Sequence, residues 1–147
     1  MGKQADSLGD NDILRILDDT RRIAVIGLSS KPGRASYGVT RYLVGAGFLV
    51  SGVNPALAGE EVAGAPVFAS LAEVPGPVDM VDVFRRVDAL PAVTSEVIEL
   101  AGEKRIRHLW LQLGLVHREA SERAEAAGLT VVMDRCLKIE HARLTPA

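Results

Sequence analysis

The chain has 147 residues, 48% of them apolar, and 17 Lys and Arg stand against 19 Asp and Glu for a net charge of −2. That length suits one domain with a core, while the even charge and 4% aromatic content exclude an overall basic face for nucleic acid or anionic membrane and a base-stacking platform. One cysteine, Cys136, excludes an internal disulfide or a multi-cysteine metal cluster and fits a reducing, cytoplasmic compartment.

In chain order, residues 1–10 lack an apolar signal core and are expected to be a disordered leader, with 11–147 forming a single domain. No apolar run approaches the ~20 residues needed to cross a bilayer. Residues 11–19, NDILRILDD, place Ile13, Leu14, Ile16 and Leu17 at helical spacing behind a cap at Asn11 or Asp12. Five short aliphatic runs follow at 23–26, 48–53, 78–84, 108–113 and 129–133. They lack polar alternation, as strands buried on both faces do.

Helical patterns separate most of these runs. Val39, Tyr42, Leu43 and Ala46 share one face, as do Leu90, Val93, Val97 and Leu100, and then Ala120, Ala124 and Ala127. Each pattern stops at an Ala-Gly pair, 46–47, 101–102 and 127–128, where the glycine is expected to take the left-handed turn. Residues 54–77 hold four of the seven prolines and read as a loop with a short strand at 67–68 and a helical turn at 70–74. The alternation predicts an α/β fold: a Rossmann-like, doubly wound parallel sheet of about five strands in three α/β/α layers, in the order 3-2-1-4-5.

A ligand of such a sheet lies beyond the carboxyl ends of its strands. After the first run come Gly27, Ser29, Lys31 and Arg34; after the second, Asn54 and Pro55; after the third, Arg85 and Arg86; after the fourth, Gln112 and Gly114; after the fifth, Asp134, Arg135 and Cys136. The helix expected to begin near Ser36 offers unpaired N–H groups and a positive dipole end, so phosphate is the natural guest. Gly27 allows close approach, Ser29 and Ser36 donate hydrogen bonds, and Lys31 and Arg34 supply charge. The alternative is a tight turn with two solvated cations. Gly33 is followed by Arg34-Ala35, which excludes a Walker A loop, and Ser29 replaces the second glycine of G-x-G-x-x-G. The second run also ends in Asn54, with no carboxylate for a ribose 2′-hydroxyl, so NAD ranks second to a ligand with more phosphate.

These segments, IAVIGLSSKPGRASYGVTRYL, GVNPALAGEEVAG, SLAEVPGPVDMVDVFRR, HLWLQLGL and AGLTVVMDRCLKIEHARL, resemble in order the small CoA-binding proteins. Those proteins are stand-alone relatives of the CoA-binding domain in the succinyl-CoA synthetase α subunit, and the likeness covers about residues 20–144. The resemblance implies coenzyme A, free or as acyl-CoA, held at Gly27, Ser29, Lys31, Asn54, Pro55, Phe84 and Arg85. One departure is Gly27-Leu28-Ser29 where many relatives have Gly-Ala-Ser; Leu28 is expected to face the sheet, with a chance of narrowing the adenine end.

Of the remaining candidates, Asn54 is either an adenosine contact or an ordinary Asx turn. Of the arginine pair, Arg85 is expected to face the ligand, and Arg86 solvent or a salt bridge with Asp82 or Asp88. Trp110 is expected in the core and Gln112, on its face but nearer the rim, at the pantetheine amides. Cys136 is read as a buried inert thiol, the alternative being a mixed disulfide with CoA. His108, His117 and His141 have no metal spacing and read as surface or capping groups, Glu60 and Glu61 as solvent-facing. No metal site and no catalytic residue are expected. Two alternatives stay open: an NAD(P)- or acyl-CoA-dependent enzyme using His108, His117, Cys136 or Asp134, and a redox-regulatory or partner-binding module.

Overall fold

The computed structural model describes residues 4–145, so residues 1–3 of the expected leader lie outside the described residues. In the rest of it, Ala5–Ser7 form a 3-10 turn, Ala5 and Leu8 are buried, and the Ala5 N–H donates to Glu125 Oε2 at 2.9 Å.

Among the described residues seven strands form one sheet: β1 (Arg22–Ile26), β2 (Leu49–Val53), β3 (Glu61–Val62), β4 (Ala65–Phe68), β5 (Met80–Val83), β6 (His108–Leu111) and β7 (Thr130–Val132), in the order β3-β4-β2-β1-β5-β6-β7. Every pairing is parallel except β3 with β4. The α/β, Rossmann-like architecture agrees with expectation, with a slightly higher strand count. The expected order needs correction: the third long run, β5, pairs with β1, and the place beyond β2 goes to β4. Ala63 and Gly64, at φ 54° and 89°, close the β3–β4 hairpin with the positive angles that a two-residue primed turn requires. Ala63 lacks the Asn or Asp that marks such a turn in a sequence.

Five α-helices of the described residues cover the two faces: α1 (Asp10–Asp18), α2 (Ala35–Gly45), α3 (Leu90–Lys104), α4 (Arg118–Ala126) and α5 (Leu137–Leu144). Successive residues of β1 alternate between layers. Ile23 and Val25 join Ile13, Leu43 and Leu137 on one face, while Ala24 and Ile26 join Val93, Val97 and Ala124 on the other. Among the described residues no helix is long and apolar enough to cross a membrane.

Three local expectations are corrected. Asn11 and Asp12 lie inside the first turn of α1, where Asp12 Oδ2 accepts from the Gly9 N–H at 2.9 Å. Gly47 and Gly128 do take positive φ, but Gly102 lies within α3, and Arg105 at φ 57° makes the left-handed stop instead. The sequence pattern also misses α5, because Ile139 is 55% exposed and no continuous apolar stripe marks the segment.

Candidate functional site

The winding reverses between β1 and β5, and there the loops after both strands open a cleft of about 270 Å³. Gly27 leaves β1 at φ 88° and donates its N–H to the Val53 carbonyl at 3.0 Å. This left-handed step redirects the chain at the sheet edge, with Leu28 packed inward and Ser29 at the cleft. The Ser29 N–H then donates to Ser36 Oγ at 3.0 Å, and Ser29 Oγ accepts from the Lys31 N–H at 3.1 Å. The two serines thus knit the loop onto the first turn of α2, and each hydroxyl keeps its own proton to donate.

At the start of α2, Arg34 makes no side-chain cap and the first turn holds no acid. The Arg34 N–H donates to the Lys31 carbonyl at 3.0 Å and the Tyr37 N–H to the Arg34 carbonyl at 3.1 Å, which leaves the Ala35 and Ser36 N–H groups and the positive dipole end facing the cleft mouth. Arg34 from this side and Arg85 from the end of β5 both line the cleft, and no carboxylate does. Arg86 instead lies 3.7 Å from Asp88. That contact separates two arginines that are equivalent in sequence.

Seven of the ten predicted residues line the cleft: Gly27, Ser29, Arg34, Ser36, Phe84, Arg85 and Gln112. Lys31 is exposed on the loop outside the lining, and Asn54 and Pro55 are also outside it. Asn54 is occupied within the chain: its Nδ2 donates to the Leu28 carbonyl at 2.9 Å and its Oδ1 accepts from the Ala56 N–H at 3.0 Å. It makes the Asx turn, with Pro55 opening a 3-10 turn behind it. Leu28 is fully buried, its side chain filling the space over Gly52, where any β-carbon would stand 2.4 Å from Leu28 Cδ2. Hence the larger residue turns into the sheet face.

Sequence reasoning missed Ala35, Leu113 and Leu115 in the lining, and Asp82 beneath it. Gln112 is 5% exposed and donates from Nε2 to Asp82 Oδ1 at 2.8 Å. Burial pushes the Asp82 carboxyl up to about 7, with the Gln112 hydrogen bond pulling the other way. Asp82 Oδ2 has no partner among the described residues. The one available signal was a single acid inside the apolar run MVDVF.

Other candidates lie elsewhere. Trp110 is fully buried, donating to the Arg135 carbonyl at 2.8 Å, while the Arg135 guanidinium is held by Glu140 at 3.0 Å and by the Leu8 carbonyl at 2.9 Å. Asp134 Oδ1 accepts from the Gly114 N–H at 2.7 Å. Cys136 is half-buried, not buried as expected, and does not line the cleft. His117 caps α4 through Nδ1, and His141 Nδ1 lies 2.7 Å from the Tyr42 hydroxyl. His108 departs from expectation: it is buried, 3.2 Å from Asp19, because the run it opens is covered on both faces. A larger cavity of about 370 Å³, among Phe48, Leu49, Pro66 and Pro75, lies at the opposite strand ends, where no helix N-terminus serves an anion.

A family model described as CoA binding domain matches residues 21–142. The uncharacterized protein YneT of Bacillus subtilis (strain 168) is 40% identical over 131 residues, 89% of this chain and 93% of YneT. A solved structure from Thermus thermophilus, cell-free ID.343, is 40% identical at a TM-score of 0.86, covering 93% of this chain and 99% of its own. A hypothetical protein from Pyrococcus horikoshii OT3 is 38% identical at 0.83, covering 98% and 97%.

Proposed function

The chain belongs to the CoA binding domain family, and on that premise we propose that it binds coenzyme A or an acyl-CoA in the cleft between the loops after β1 and β5. The observation that carries the reading is the uncapped, acid-free N-terminus of α2, opening between Arg34 and Arg85 with no carboxylate in the lining. Pyrophosphate suits that place, since backbone N–H groups and two guanidinium forks match its oxygens. Lys31, exposed on the same loop, supplies a further positive charge for a second phosphate. Gln112 and the apolar Leu113 and Leu115 give the pantetheine arm one polar and one apolar wall.

The protein works as a binding module of the cytoplasm, without chemistry of its own. The lining supplies binding groups, two arginines, two serine hydroxyls, an amide and apolar side chains, which supports that reading. Calorimetric titration with CoA, dephospho-CoA and NAD tests the reading. CoA should bind tightest, and removing its 3′-phosphate should cost roughly 1.5–3 kcal/mol, the range for a hydrogen bond to a charged group. NAD binding as well as CoA, or no CoA binding, overturns it.

A further inference from the structure

Asp82 is a carboxyl group in the centre of the sheet. It is completely buried, flanked in register by Val25 on β1 and Trp110 on β6, and has no charged partner. Burying such a group is costly unless it is hydrogen-bonded. Its partner is Gln112, which reaches down from the cleft lining with Nε2 2.8 Å from Asp82 Oδ1.

Resting on the reading that the cleft holds a CoA-type ligand, we infer that Asp82 is a positioning residue that fixes the Gln112 amide with Oε1 turned to the ligand, as an acceptor for a pantetheine N–H. An unconstrained primary amide presents either end, since its N and O are nearly equal in shape. An ionised carboxylate only accepts, and a neutral one with its proton on Oδ2 still accepts at Oδ1. With Nε2 donating to Oδ1 as the structure has it, Oε1 is left for the opposite side. A secondary amide offers one N–H to that oxygen. The site therefore selects for the amide-bearing arm and not only for the phosphorylated adenosine.

The test compares wild type, Asp82→Val and Asp82→Asn by calorimetry with CoA and with adenosine 3′,5′-bisphosphate, which lacks the arm. Asp82→Val should weaken CoA roughly tenfold, about one hydrogen bond, and leave the bisphosphate unchanged. Asp82→Asn, whose Oδ1 still accepts from Nε2, should return CoA affinity to within about twofold of wild type. Equal CoA binding by wild type and Asp82→Val overturns the inference, as does an equal loss of both ligands. Where Asp82→Val does not fold, the Gln112 side-chain amide resonances of wild type decide: CoA should shift them and the bisphosphate should not, and equal shifts overturn the inference. Failure of wild type to bind either ligand defeats the reading of the cleft as well. Binding of both, with no effect at Asp82, defeats this inference alone.

Discussion

Gly27 lies so close to Phe84 that a β-carbon on it would stand 2.1 Å from the Phe84 carbonyl oxygen. The obstacle is backbone, which cannot swing aside, and φ 88° already disfavours any side chain. Gly27→Ala should therefore lower unfolding free energy by about 2–4 kcal/mol and weaken CoA binding by prising the two loops apart. Urea denaturation checks the first effect. A loss under about 0.5 kcal/mol, the scale of an ordinary surface change, would show that the loops do not need this contact.

Arg85 and Arg86 provide an internal control. Arg85 lines the cleft, whereas Arg86 lies beside Asp88 with most of its side chain in solvent. Arg85→Ala should weaken CoA by roughly ten- to a hundredfold, the scale of a charged hydrogen bond, and Arg86→Ala by less than about threefold. Both are read in one titration series. Equal effects would assign the pair to general attraction of anions.

Asp82 also sets a pH dependence of stability. Its carboxyl is raised to about 7 from an ordinary 3.8, so the folded state holds a proton that the unfolded chain releases. The stability this proton contributes is complete below pH ~4 and is lost as pH rises through about 7. Asp79 acts oppositely: burial raises it, but the backbone N–H groups of Arg22 and Arg21 and the Arg107 guanidinium outweigh burial and lower it, so its contribution is lost only in acid. Asp82→Asn should gain stability relative to wild type between pH 5 and pH 8, with a ceiling of about 4 kcal/mol for the full shift. Chemical denaturation at the two pH values checks this, and an identical difference at both contradicts it.

The first loop was legible because its information is local. An apolar run, a glycine, small hydroxyl residues and cations mark a strand, a turn and a helix start within fourteen residues, 23–36, and the structure has β1, the Gly27 turn and α2 there. Asn54 was ambiguous for the opposite reason: its amide was equally suited to a ligand or to its own turn, and the Leu28 carbonyl that engages it is 26 residues away. The Asp82–Gln112 floor spans 30 residues between two strands, so neither partner announces the other. The β3–β4 hairpin escaped because Ala63 holds a positive φ without the residue type that signals one. What could be read was the pattern set by chain-local chemistry, and what could not was pairing decided by the sheet.

The most direct test of the account is a crystal structure grown with excess CoA. The pyrophosphate should sit at the first turn of α2 between Arg34 and Arg85, with the pantetheine arm passing Gln112. An empty cleft with both arginines turned to solvent, or CoA seated instead among Phe48, Leu49 and Pro75 at the other end of the sheet, would contradict it.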